Sequence, residues 1–119
     1  MVEKKRFEFL SYKVIVEIRD TPPTEWDKGA CGGCYDKPDE NFNFKVWFSL
    51  DKCIPNIRSI SHECWHLFMT ILNYVDNCNH TFEELNNEIY AYNFHILFGR
   101  VFDCIVNSKA GSKAIELNK

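Results

Sequence analysis

The chain has 119 residues, the size of one domain, and its 45% apolar and 15% aromatic content supplies a core and excludes a disordered composition. A formal charge of −3, with Lys and Arg interleaved among Asp and Glu, excludes the field that gathers nucleic acid or anionic lipid. No apolar run approaches the roughly 18 residues of a membrane span, so neither nucleic acid nor a membrane is expected as a partner.

Lys4, Lys5 and Arg6 precede an apolar stretch that Glu8, Lys13, Glu17 and Arg19 interrupt, unlike the apolar region of a signal peptide. A cytoplasmic protein with reduced cysteines is expected, and its six cysteines are Cys31, Cys34, Cys53, Cys64, Cys78 and Cys104. Tyr12, Val14, Val16 and Ile18 alternate with Lys13, Ile15 and Glu17, as in a half-buried strand. Phe7 and Phe9 stand in the opposite phase, which suggests a bulge at Leu10-Ser11. Phe42, Phe44, Val46, Phe48 and Leu50 alternate inward, with Asn43, Lys45, Trp47 and Ser49 outward, and predict another strand. Between the two strands, a connection opening Thr21-Pro22-Pro23-Thr24 is too long for a bare hairpin loop, and a short strand is expected near Ala30 to Tyr35.

After Pro55 the period changes. Ile57, Ile60, Cys64, Leu67, Phe68, Ile71, Leu72 and Val75 recur at three and four and predict one buried face of a helix running to about Asp76. Thr81 followed by Glu84 is a capping box that opens a second helix, burying Leu85, Ile89, Ile96 and Val101 and ending near Asn107. Residues 1–107 therefore form a single domain, and residues 108–119 a flexible tail with little to bury.

The first helix contains His62-Glu63-Cys64-Trp65-His66. Residues i and i+4 share a helical face about 6 Å apart, so two imidazoles reach one cation and the Glu beside them can take a proton from its water. The second helix offers Asn87-Glu88-Ile89-Tyr90-Ala91, with Glu88 on the face of Tyr92 and His95. A short turn at 77–80 requires antiparallel helices; His66 about nine residues before it and Glu88 about seven after it then stand level within about 3 Å. Two imidazoles and a carboxylate leave the fourth position of a tetrahedral Zn2+ open, as in catalytic rather than structural sites.

H-E-x-x-H followed after about twenty residues by N-E-x-x-A resembles the thermolysin-like gluzincins reduced to a minimal zincin core, from about Phe42 to Phe98. The organisation also resembles the short H-E-x-x-H proteins carried by bacteriophages and prophages. The resemblance implies a zincin-like α+β fold, with a small antiparallel sheet packed on two antiparallel helices. It further implies one catalytic Zn2+ held by His62, His66 and Glu88, Glu63 as general base and later acid, and a peptide or protein substrate. Tyr92 stands where thermolysin-like enzymes carry an Asp that orients a zinc-bound His, and position 72 is Leu where a metzincin has its third His. Tyr90, Tyr92 and His95 are the candidate oxyanion donors, with His95 favoured.

Each motif has a plainer reading: two surface histidines with a solvated Glu63, and Glu88 as an exposed helix carboxylate like Glu83 and Glu84. His80 is a rival ligand in the turn. Cys31-Gly32-Gly33-Cys34 reads as half of a second zinc site completed by Cys53, Cys78 or His80, as a redox dithiol, or as a glycine-rich turn or edge strand. The last is preferred, because small residues on an edge strand beside the cleft let a substrate backbone add as a strand. Cys64 and Cys104 read as small core residues. The alternative to a peptidase is a binding or inhibitory module in which zinc only clamps two helices.

Overall fold

The computed structural model describes residues 2–26, 29–49, 57–76 and 88–109. Along the chain they form β1 (Val2–Phe9), β2 (Tyr12–Arg19), β3 (Gly32–Cys34), β4 (Asn43–Ser49), α1 (Ile57–Asp76) and α2 (Glu88–Val106). The class is α+β: one four-stranded mixed sheet in the order β1-β2-β4-β3, and two helices.

The expected bulge at Leu10-Ser11 is a hairpin turn. Phe9 pairs with Tyr12 and Phe7 with Val14, so a two-residue loop brings the odd positions of β1 onto the face of the even positions of β2. Both loop residues have positive φ, 50° for Leu10 and 70° for Ser11. Such a loop matches the twist of the strands but suits Asn-Gly better than Leu-Ser. β1 escaped the sequence reading because its alternation is largely charged; Lys4, Arg6 and Glu8 are exposed along this edge strand, where charge discourages pairing with another chain.

The sheet is not wholly antiparallel as expected. β2 and β4 are parallel, in register from Lys13↔Asn43 to Arg19↔Ser49, and β3 pairs antiparallel with β4. The chain leaving β2 therefore passes beyond the place of β4, descends as β3 at the edge, and returns as β4 between them. Burial explains the order. Val46, Trp47, Phe48 and Ser49 are all buried, which needs neighbours on both sides and cover on both faces, whereas the three residues of β3 suit an edge.

On the inner face, Val14, Val16, Ile18, Phe44, Val46 and Phe48 form one core with the α1 stripe Ile60, Cys64, Leu67, Phe68, Ile71 and Leu72. Ile57, expected in that stripe, is exposed, and the side chain of Val75 lies outside the described residues. From α2 the core takes Leu97, Val101 and Ile105, with Phe94 and Phe98 partly buried against it. Ile89, expected to be buried, is exposed, because α2 turns its aromatic rather than its isoleucine stripe towards α1: Phe94 packs 5.5 Å from Trp65 and 5.7 Å from Phe68. The capping box at Thr81 and Glu84, and Leu85, lie outside the described residues. Ser108, assigned to the tail from sequence, is buried, and its hydroxyl donates to the Ile105 carbonyl at 2.7 Å.

Trp47 faces outward as expected and is nonetheless fully buried, because the β2–β3 connection covers the outer face. Trp26 packs edge-on against Trp47 at 5.4 Å and Tyr35 at 5.8 Å. A side chain at Gly33 would place its Cβ 2.6 Å from the Trp47 indole nitrogen, so only glycine admits this contact. The buried carboxylate of Glu17 on the same face is held by Arg19 at 3.0 Å and Lys45 at 3.4 Å. Among the described residues no helix is long and apolar enough to cross a membrane.

The left-handed conformations of Leu10 and Ser11 cost roughly 1–2 kcal/mol each relative to the favoured region. Replacing the pair by Asn-Gly (L10N with S11G) is expected to raise stability by about 1 kcal/mol. Urea denaturation reads the change, and an unaltered midpoint would show that the turn stores no such strain.

Candidate metal centre

The buried stripe of α1 fixes the direction of its remaining side chains. With Cys64 and Leu67 turned into the core, His62 and His66 lie one turn apart on an exposed flank and Glu63 lies at the boundary, half-buried. The two Nε2 atoms are 3.2 Å apart, with the ring planes at 83° and the ring centroids 4.7 Å apart. Two nitrogens each about 2.0–2.1 Å from a tetrahedral zinc stand roughly 3.3–3.4 Å apart, so the pair fits one shared ion. Without an ion the same separation serves a hydrogen bond from one ring to the other, which requires at least one neutral imidazole. Glu63 Oε1 lies 3.9 Å from His62 Nε2. Burial pushes the Glu63 carboxyl above its usual range, against the opposing pull of His62 and His66, a direction that suits a proton acceptor working near neutrality.

β3 borders this group. Tyr35 N–H donates to the Lys45 carbonyl and Ser49 N–H to the Cys31 carbonyl, so the odd positions of this strand bond β4. By the alternation of an antiparallel ladder, the backbone groups of Gly32 and Cys34 point to the free edge. Their side-chain positions face α1. A Cβ at Gly32 would come within 3.4 Å of Glu63 Cγ and 3.1 Å of both Phe48 and the Trp47 carbonyl. Between strand and helix runs an open cleft of about 250 Å³, lined by Glu63, His66 and Thr70 of α1, by β3, and by Trp26 and Asp36. Trp26, Asp36 and Thr70 were not foreseen as cleft residues. Thr70 carried a signal, four residues beyond His66 on the same helical face, whereas Trp26 and Asp36 arrive from the connections flanking β3 and carried none.

The cysteines settle in three ways. Cys31 and Cys34 project from opposite faces of an extended segment and cannot act together as a dithiol. Cys31 is disulfide-bonded, which corrects the expectation that every thiol is reduced. Cys34, Cys64 and Cys104 are free. Burial pushes the Cys34 and Cys64 thiols up to about 12, reinforced by the nearby Glu63 carboxylate, so both are packing groups rather than nucleophiles.

Glu88 is exposed at the first residue of α2. Phe94, not Glu88, meets Trp65 and Phe68, and Glu88 lies about 9 Å along the helix axis from that contact. Among the described residues no three of His, Cys, Asp and Glu stand at metal-binding spacing, so the imidazole pair is assembled and the carboxylate is not beside it. The levels inferred from the turn assumed a second helix in step with the first, whereas the aromatic contacts set the register. Tyr92 and His95, four and seven residues beyond Glu88, are exposed on the same flank. No protein-family model, no curated protein and no solved structure matches the chain.

Zinc titrated into the purified protein is expected to bind one ion per chain and raise the melting temperature, because it would bind the folded arrangement and not the unfolded chain. His62→Ala and His66→Ala are each expected to lose more than the roughly 10- to 100-fold typical of outer-shell changes. Calorimetric titration reads both; an unchanged affinity in either variant would remove the pair as ligands.

Proposed function

We propose that this chain is a small zinc-dependent peptidase in which His62 and His66 hold the ion, Glu88 is the candidate third ligand, and Glu63 acts as general base and then general acid. The observation that carries the proposal is the convergence of the two Nε2 atoms at 3.2 Å, with the Glu63 carboxyl beside them, under the free edge of a glycine-containing strand. When bound, zinc would supply an acidified water and a Lewis acid for the substrate carbonyl.

The chain's own residues do the rest. The outward N–H and C=O groups of Gly32 and Cys34 pair with an extended peptide and hold it in line with Glu63. The missing side chain at Gly32 keeps the space above Glu63 open to the substrate backbone. Glu63, raised by burial, takes the proton from the attacking water and delivers it to the leaving amine. Glu88 stands apart from the imidazoles in this structure and would complete the ligand set only with a shift of α2 along α1, and His95, with Tyr92 as the second candidate, is proposed as the donor that steadies the oxyanion.

Glu63→Gln keeps the shape of the side chain and removes its basicity. The variant is expected to retain zinc with unchanged stoichiometry and to lose cleavage of an unstructured peptide by at least about 100-fold, the usual scale of a general base. Wild-type rates in this variant would overturn the role of Glu63 and favour an ion that only clamps helices. Glu88→Ala, tested for zinc affinity beside the two histidine variants, decides the third ligand: an affinity equal to wild type would exclude it.

A further inference from the structure

The cleft over Glu63 and His66 continues along the sheet edge into a second open cleft of about 480 Å³, lined by Glu25, Tyr35 and the shared Trp26, Cys34 and Asp36. Among the described residues lining the two, the carboxylates are Glu25, Asp36 and Glu63, and no Lys or Arg lines either. Two cations lie close by and are already paired. Arg19 and Lys45 are both bound to Glu17 on the outer face, and Lys45 also covers the Tyr35 ring at 5.1 Å. Lys37 is exposed and lines neither cleft.

Asp36 is exposed and lines both clefts, as does Trp26. Glu25 accepts from the Tyr35 hydroxyl at 3.1 Å and is held below the usual carboxylate range, chiefly by a backbone hydrogen bond and then by that hydroxyl, so it remains charged. Asp39 accepts from the backbone N–H groups of Asn41 and Asn43, both at 2.9 Å, and so fixes the turn from Asp39 to Asn43 that leads into β4. An exposed carboxylate that shares a cleft with an indole has the components of a binding site for a cationic side chain.

We propose that the cleft selects a Lys or Arg side chain in the bound peptide, next to the scissile bond, with Asp36 as its charge partner and Trp26 as its aromatic wall. The selection rests on the peptidase reading for its meaning, but it is a property of binding and can be measured without turnover. One ion pair at a partly open site together with one cation–π contact amounts to about a tenfold preference over a neutral side chain of similar length.

The test uses short blocked peptides that differ only at one central residue, Lys, Arg, Leu or Glu. Their affinities are measured on zinc-loaded Glu63→Gln protein by calorimetry, and their kcat/KM values on the wild type. Lys and Arg peptides are expected to bind about tenfold more tightly than Leu and more tightly still than Glu. In the Glu63→Gln background, Asp36→Asn is expected to bring the Lys-to-Leu ratio close to one, and Asp36→Lys to reverse the order of the Lys and Glu peptides, with zinc content unchanged in both. Equal binding of Lys and Leu peptides, or a Lys preference that survives Asp36→Lys, would overturn the inference and leave the peptidase proposal standing. A Lys preference in binding with no cleavage of any peptide by the wild type would overturn the peptidase proposal and leave the cation site standing.

Discussion

The apolar stripe of α1, from Ile60 to Leu72, lies against Phe44, Val46 and Phe48 of the sheet. Burying side chains of this size stabilises the fold by about 1.5–3 kcal/mol each, and a helix so anchored cannot rotate without exposing them. The flank that carries His62, Glu63 and His66 is therefore set by what the opposite flank buries. The two imidazoles meet at 3.2 Å because residues four apart share one helical face, and the packed rotation of α1 turns that face away from the core.

The same contact places the helix over the edge of the sheet, where the chain would otherwise offer only a short strand. β4 takes the interior because it is buried on both faces from Val46 to Ser49, and this leaves β3, with its glycines, at the edge above Glu63. Gly32 and Gly33 act on opposite sides. Gly33 lets Trp26 and Trp47 close the outer face, and Gly32 keeps the inner face open above the carboxyl. One is required for packing and the other for access, although they are neighbours in the chain.

Charge is divided in the same way. Glu17 gathers Arg19 and Lys45 on the outer face, and the cleft is left lined by carboxylates. A buried carboxylate with two cationic partners is costly to disturb, since removing either partner leaves charge uncompensated in a poorly solvated place. The partition is thus built into the folding of the sheet and not only into its surface.

The sequence by itself determined the elements whose signal is local. Alternation from Tyr12 to Ile18 and from Phe42 to Phe48 marked β2 and β4, the three-and-four period marked α1 through Asp76, and the spacing of His62, Glu63 and His66 put them on one flank of it. Backbone geometry alone carries such signals, because a strand repeats every two residues and a helix every 3.6. What only the tertiary structure decided was which elements lie side by side. It set β2 parallel to β4, moved the glycine-rich strand to the edge, buried Trp47, and brought Trp26 and Asp36 to the cleft from connections with no periodic pattern. It also set the register of α2 on α1 through Phe94, Trp65 and Phe68, which leaves Glu88 apart from the imidazoles. These are outcomes of competition among long-range contacts for the same apolar surface, and no window of sequence contains both competitors.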